Sequence, residues 1–229
     1  PAAPAGTLTR LLGSAVSLQS AAGGLTLTGG DGGYKLTALN TELDISVYGD
    51  IEIDTLIASG QGVDIESTAG DIAGGDWTIT GCDAAITAGD GAIGGGAWSV
   101  TNGALRIEAK HTIALTGALT VNNQDAAAAK AVSIVSALGG FTSPSVTVTG
   151  SGAAGGSYAV SAETDIFIGA LTALNADGTI ASASGKLDGG AWSGGRTRCR
   201  PWTPLRLSRP WNGPRDRRRS PPCDAPSGA

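Results

Sequence analysis

The chain has 229 residues, of which 37 are glycine, only 4% are aromatic and none is methionine. This composition is unlike that of an ordinary globular domain and is typical of a repeat protein. The two ends of the chain differ in charge: residues 1–195 carry 18 acidic and six basic side chains, whereas residues 196–229 carry nine arginines and two aspartates. The body is therefore acidic and the C-terminal segment is basic.

Two features of the sequence bear on targeting and membranes. The chain opens Pro1-Ala2-Ala3-Pro4, without Met and without a charged region followed by an apolar run. We therefore expect a fragment, with any signal peptide upstream. No segment approaches the roughly 18 consecutive apolar residues that indicate a transmembrane helix, so we predict no membrane span. The three cysteines are an odd number, and they do not indicate a redox compartment.

The N-terminal segment 1–24 is predicted to be an irregular edge or an irregular first coil. Strand-like alternation of apolar and polar residues begins at Leu25-Thr26-Leu27 and continues at Leu43-Asp44-Ile45-Ser46-Val47, although the spacing between these units is not constant. Alternation places one set of side chains inside and the other in solvent, so we predict strands from residue 25 onward.

The central part of the sequence contains an internal repeat of constant length. One register of apolar-polar-apolar units starts at Leu56, Trp77, Trp98 and Leu119, a second at Val63, Ala84 and Leu105, and a third at Ile51, Ile72 and Ile93. Frequent glycine disfavours helix by about 1 kcal/mol per residue relative to alanine, whereas it suits tight corners. Three short strands and three corners per repeat predict an all-β fold, a right-handed parallel β-helix (β-solenoid) with coils of about 21 residues.

The repeat is interrupted after Val121. Residues 122–129 do not alternate, and the unit Val132-Ser133-Ile134 resumes about six residues late. We interpret this as a coil with an inserted loop or a short helical turn. Strands then continue at Val146, Ile166 and Leu171, so the predicted solenoid domain covers residues 25–195.

The C-terminal segment 196–229 differs in composition from the body. It holds seven of the ten prolines, nine of the eleven arginines and no lysine. We predict a disordered tail. An arginine-rich arm for nucleic acid or membrane phosphates is an alternative, and out-of-frame translation of GC-rich DNA is a further hypothesis for its origin.

The repeats resemble those of a known family. Residues 49–56, 70–80 and 112–121 are similar to the degenerate repeats of filamentous haemagglutinin-like exoproteins, the adhesins of bacterial two-partner secretion, which are related in style to autotransporter passengers. The resemblance covers roughly residues 25–195. It implies export through an outer-membrane transporter, localisation in the medium or on the bacterial cell surface, and adhesion, aggregation or contact-dependent competition. The implied partner is a glycan or protein receptor on a host or neighbouring cell.

Several residues are candidates for chemistry. His111 is the only histidine, which leaves no His-based metal cluster and no Ser-His-Asp arrangement. Acidic residues in successive coils could form the carboxylate cluster of a β-helical polysaccharide lyase or hydrolase, but solvated corners are favoured because equivalent positions do not repeat as acids. These residues are Asp64, Glu66, Asp71, Asp76, Asp83 and Asp90.

Other motifs are equally open to a structural interpretation. Residues 29–33 and 89–91 resemble calcium-binding glycine-aspartate turns but do not recur every nine residues. Trp77 and Trp98 could form a sugar-binding stack, although a core position is favoured, and Cys82 is interpreted as an incidental corner residue. We therefore predict no catalytic residues, no cofactor, no metal site, no enzymatic activity and no nucleic-acid partner. The predicted function is a structural and adhesive segment, and a carbohydrate-active β-helix enzyme is the alternative.

Overall fold

The computed structural model describes residues 15–20, 25–27 and 35–200. Within these ranges the chain forms nineteen strands that pair in parallel ladders. The strands are β1 (Ala15–Ser20), β2 (Leu25–Leu27), β3 (Lys35–Val47), β4 (Ile51–Ser67), β5 (Ile72–Thr80), β6 (Ala84–Ala88), β7 (Ile93–Gly95), β8 (Trp98–Thr101), β9 (Leu105–Ala109), β10 (Ile113–Leu115), β11 (Leu119–Asn122), β12 (Lys130–Ser136), β13 (Phe141–Ser143), β14 (Val146–Thr149), β15 (Gly156–Ala162), β16 (Ile166–Leu174), β17 (Ala176–Ser182), β18 (Leu187–Gly194) and β19 (Thr197–Arg200).

The strands stack into three faces, because each coil pairs with the coil before and the coil after it. Face A contains the ladder Ile51, Ile72, Ile93, Ile113, Phe141, Ile166 and Leu187. Face B contains the ladder Leu36, Leu56, Trp77, Trp98, Leu119, Val146, Leu171 and Trp192. Face C contains the ladder Leu18, Ile45, Ile65, Ile86, Ile107, Ile134, Val160, Ile180 and Cys199. The predicted β-solenoid, with its stacked coils about 21 residues apart, is confirmed.

The core is a column of apolar side chains inside the coils. On face C, Ile45, Ile65, Ile86, Ile107 and Ile134 have no exposed surface, and the residues between them along each strand point outward. Full burial of one such side chain contributes about 1.5–3 kcal/mol. The alternation of apolar and polar residues along each strand therefore identifies the side chains that face the core.

A volume rule links two positions of each coil. Where face B carries Trp, the residue three positions earlier on face A is Gly, as in the pairs Gly74 with Trp77, Gly95 with Trp98 and Gly189 with Trp192. A Cβ atom at Gly95 would lie 2.6 Å from Trp98 Nε1. In two coils where face B carries Leu, the residue three positions earlier is Ile, namely Ile53 with Leu56 and Ile168 with Leu171. The indole therefore occupies the space that a branched side chain fills elsewhere.

The corner between faces B and C has its own sequence rule. The residue that follows the face B segment of each coil is Asn or Gly in seven consecutive coils; in β3 and β4 the strand continues through this corner. These residues are Asn40, Gly60, Gly81, Asn102, Asn123, Gly150 and Asn175. Five of these have positive φ, for example 56° at Asn102 and 74° at Gly81. Other L-residues avoid this backbone region at a cost of about 1–2 kcal/mol. The corner therefore selects Asn or Gly.

The described solenoid extends past both predicted boundaries. β1 pairs in regular register with β3, so residues 15–20 belong to a regular coil rather than an irregular edge. β19 pairs with β17, which places residues 197–200 in the solenoid although the composition predicts a disordered tail from residue 196. The remainder of the predicted tail, 201–229, lies outside the described residues, as do residues 1–14. Among the described residues, no helix is long and apolar enough to cross a membrane.

Candidate functional site

The corner between faces B and C carries two insertions in consecutive coils. On face C, Leu105 pairs with Val132, and Val132 pairs with Tyr158. Both steps along the chain are longer than the two preceding steps, from Val63 to Ala84 and from Ala84 to Leu105, which have the regular length of one coil. The additional residues lie at 123–131 and 150–157. We call these two segments the corner loops.

The first corner loop begins at a buried asparagine. Asn123 is 1% exposed, its Oδ1 accepts a hydrogen bond from the Gly103 N–H at 2.8 Å, and its own N–H donates to the Thr149 carbonyl at 2.8 Å. The Ala126 N–H closes a turn on the Asn123 carbonyl at 3.0 Å. The insertion predicted after Val121 is thus confirmed, and it is a turn without helix.

The second corner loop packs on the first. Ser151 is buried, and its Oγ donates to the Ala126 carbonyl at 2.8 Å. The Gly152 N–H donates to the Gln124 carbonyl at 3.2 Å. Within the second loop, Ser151 and Gly155 form an antiparallel bridge. The two loops therefore form one ridge on the corner, held by hydrogen bonds between coils.

The second corner loop was not predicted from the sequence. Its residues are mostly glycine, alanine and serine, and the units on either side keep their alternation. The available signal was the lengthened step along the chain from Val132 to Tyr158. That step becomes informative only when the register of both strands is known.

Open grooves lie on both sides of the ridge. The groove on face C has a volume of about 430 Å³ and is lined by Glu42, Asp64, Asp83, Ala85, Ala104 and Ala131, among others. The groove on the other side has a volume of about 680 Å³ and lies between the second corner loop and the next coil, with Leu174, Asn175 and Asp177 in its wall. Leu174 is 51% exposed there. The ridge and its grooves form the candidate site.

An ion pair ties the first corner loop to the acidic part of face C. Lys130, at the end of the loop, donates to Asp83 Oδ1 at 2.8 Å. The Ala104 N–H donates to the same oxygen at 2.8 Å. The Lys130 hydrogen bond, followed by that of Ala104, lowers the pKa of the Asp83 carboxyl.

The corner aspartates serve as acceptors for backbone N–H groups. Asp50 Oδ1 accepts from the Asp71 N–H at 2.9 Å, and Asp71 Oδ1 accepts from the Ala92 N–H at 2.8 Å. Asp76, Asp83, Asp165 and Asp177 make the same contact to the following coil. Because a corner interrupts the strand ladder, the carboxylate supplies an acceptor that the ladder does not. These acids are therefore structural as well as solvated.

The remaining acidic candidates do not converge. Asp64 and Glu66 point outward from β4 on face C, whereas Asp90 forms an ion pair with Lys110 at the corner between faces C and A. The Lys110 hydrogen bond lowers the pKa of the Asp90 carboxyl. In the described part of the chain, no group of three or more His, Cys, Asp or Glu residues could hold a metal ion.

The two tryptophans singled out in the sequence lie in the core. Trp77 and Trp98 are 1% and 2% exposed and stack with ring centroids 4.5 Å apart. Their indole N–H groups donate to the carbonyls of Ile53 and Gly75 at 3.0 and 3.1 Å. The favoured core position is confirmed, and the alternative of an exposed sugar-binding stack is wrong.

The other single candidates are placed as follows. His111 lies exposed at a corner, as predicted, and its carbonyl accepts from Ser136 Oγ at 2.6 Å. Cys82 is a free thiol that is 5% exposed, and burial raises its pKa. The glycine-rich turn at 29–33 lies outside the described residues.

Comparison with known proteins gives no relative. No family model, no curated protein and no solved structure matches this chain. The fold therefore rests on the register of the strands, and function has to be argued from the candidate site.

Proposed function

We propose that this chain is a structural and adhesive β-solenoid segment whose ligand-contacting surface is the ridge formed by the two corner loops. The observation that carries the proposal is the position of both insertions at one corner of consecutive coils. Insertions in solenoid repeats map to one face, which is often the binding face. Loops held by a rigid scaffold are also where binding residues are concentrated.

The resemblance of the repeats to filamentous haemagglutinin-like exoproteins supports the same function. It adds the expectation of export through an outer-membrane transporter to the bacterial surface or the medium. A glycan or a protein on a host or neighbouring cell is the proposed partner. The groove of about 680 Å³ between the second corner loop and the next coil is large enough to take part of such a ligand.

The distribution of the carboxylates favours adhesion over the enzymatic alternative. A β-helical lyase or hydrolase needs two or more acidic groups close together around the substrate. Six of the described aspartates instead lie at corners and accept backbone N–H groups of the next coil. Their positions are explained without a substrate.

The test replaces each corner loop by a short corner taken from the same chain. Residues 123–131 become Asn-Gly-Ala, the sequence at 102–104, and residues 150–157 become Asn-Ala-Asp, the sequence at 175–177. A control variant carries Glu52→Gln and Thr142→Ala, two exposed positions on face A. Binding of the fluorescently labelled full chain to intact epithelial and bacterial cells is measured by flow cytometry.

We expect the natural chain and the face A control to bind, and the shortened variant to lose at least about tenfold in affinity, or about 1.4 kcal/mol. Equal binding of the shortened variant would reject the ridge as the contact surface. Absence of binding by the natural chain to every cell type would reject adhesion. Release of unsaturated or reducing sugars from polysaccharides incubated with the chain would favour the enzymatic alternative.

A further inference from the structure

The groove on face C has an open, mainly apolar floor. Five strands contribute to it, namely β3, β4, β6, β9 and β12, so it runs along the solenoid axis. Small residues such as Ala85, Ala104 and Ala131 form much of the lining. A Cβ atom added at Gly62 would meet no atom within 4 Å. The space over Gly62 is therefore available to another chain.

The groove is bordered by carboxylates that have no ion-pair partner among the described residues. Glu42 and Asp64 line it, and both are exposed. Residues 42–66 hold seven acidic side chains and no lysine or arginine. The two cations beside the groove are already neutralised, since Arg106 pairs with Glu108 and Lys130 pairs with Asp83. An occupant of this groove should therefore be cationic.

The same chain supplies a segment of the complementary charge. Residues 201–229 contain six arginines, two aspartates and no lysine. The segment follows β19, which lies on face C, so it leaves the solenoid on the face that carries the groove. The acidic border and the start of the arginine-rich segment are thus on one face.

The distance is within reach of the segment. From β19 the ladder runs through β17, β15, β12, β9 and β6 to β4. At about 4.8 Å per step, these six steps correspond to about 29 Å. Arg209 lies nine residues beyond Arg200, and nine extended residues span about 30 Å. Arg209 can therefore reach along the groove as far as Asp64, whereas Arg206, six residues beyond Arg200, reaches about 20 Å. Glu42 lies one strand further, on β3, within reach of the arginines that follow Arg209.

We propose that the groove on face C is a docking site for the arginine-rich segment 201–229 of the same chain, with Glu42 and Asp64 as the carboxylates that its arginines contact. The apolar floor accepts the aliphatic parts of the arginine side chains, whose charged ends then lie at the border. This inference does not depend on the proposed adhesive function, because it rests on Glu42 and Asp64, which lie outside the two corner loops.

The experiment measures, by mass spectrometry, how fast trypsin cleaves the full-length protein after Arg206; the bond after Arg209 is not a site because Pro210 follows it. The groove variant carries Glu42→Gln and Asp64→Asn. A matched control carries Glu52→Gln and Glu163→Gln, which remove the same charge elsewhere. A third variant, Gly62→Arg, places bulk and a like charge in the open space without removing a carboxylate.

We expect cleavage to be at least about threefold faster in the groove variant and in the Gly62→Arg variant than in the natural chain, as the loss of two surface ion pairs implies. The control should match the natural chain. Raising the ionic strength from about 0.02 M to about 0.5 M should remove the difference, because screening weakens exposed charge pairs. Equal rates in all four proteins would overturn the proposal. Protection that disappears on dilution would also overturn it, since a second copy would then be the occupant.

Discussion

At the scale of single residues, the corners hold most of the information that specifies the coil. Asn102 and Gly81 occupy equivalent positions and share the left-handed backbone conformation. Asp71 accepts the Ala92 N–H from the next coil, in the manner of Asp50 one coil earlier. In the sequence these residues appear only as Gly, Asn and Asp between the alternating units. The backbone N–H that each of them contacts depends on the register between neighbouring coils, and the sequence alone does not give this register.

The ion pair between Lys130 and Asp83 gives a residue-scale prediction. Asp83→Asn keeps the acceptor for the Ala104 N–H but removes the charge, so the free energy of unfolding at neutral pH should fall by about 0.2–1 kcal/mol. The lowered pKa of Asp83 means that this contribution is present above the unfolded pKa, about 3.9, and is lost as the pH falls through the folded value. Urea unfolding of both proteins across this range measures the difference.

Two further results test whether the charge of Asp83 causes this loss of stability. In a Lys130→Gln background, Asp83→Asn should change the free energy of unfolding very little, because the partner charge is already absent. A difference between natural and variant chains that stays constant down to the lowest pH would show that the charge of Asp83 is not responsible.

At the scale of elements, packing between strands explains the pairing of Gly with Trp. The rule holds in the three coils with Trp on face B, and the coil with Val146 differs from the others because Ser143 accompanies it while Phe141 is fully buried nearby. The regular repeat could be predicted from the sequence because the core positions keep their apolar character. The pairing of Gly with a Trp three residues later could not be predicted, since it depends on which side chains lie next to each other in the core.

The Gly95 and Trp98 pair gives an element-scale prediction. Trp98→Leu should cost about 2–4 kcal/mol because it leaves a cavity, and Gly95→Ile should cost about 1–3 kcal/mol because its side chain meets the indole. The double variant resembles the natural coil that holds Ile53 and Leu56. Its cost should be smaller than the sum of the single costs by at least about 1 kcal/mol, as measured by urea unfolding. Strictly additive costs would show that the two positions do not share a space.

At the scale of the whole molecule, one set of residues stabilises the solenoid and a different set is available for binding. The ladders on all three faces account for the core, and the corner aspartates account for many of the acids. The first corner loop was predictable, because it interrupts the repeat directly after its most regular part. The ridge was not, because it forms only when the second loop packs on the first through Ser151 and Ala126.

We expect the corner loops to be additions to a complete solenoid rather than part of its framework. Urea unfolding of the variant in which 123–131 and 150–157 are replaced by the short corners Asn-Gly-Ala and Asn-Ala-Asp tests this expectation. The replacement keeps Asn at the buried position 123, restores the regular coil length and shortens two loops, so loop closure becomes slightly less costly. We predict one cooperative transition, with a free energy of unfolding within about 1 kcal/mol of that of the natural chain. A loss of more than about 3 kcal/mol, or the loss of cooperativity, would contradict the account and make the ridge a structural element.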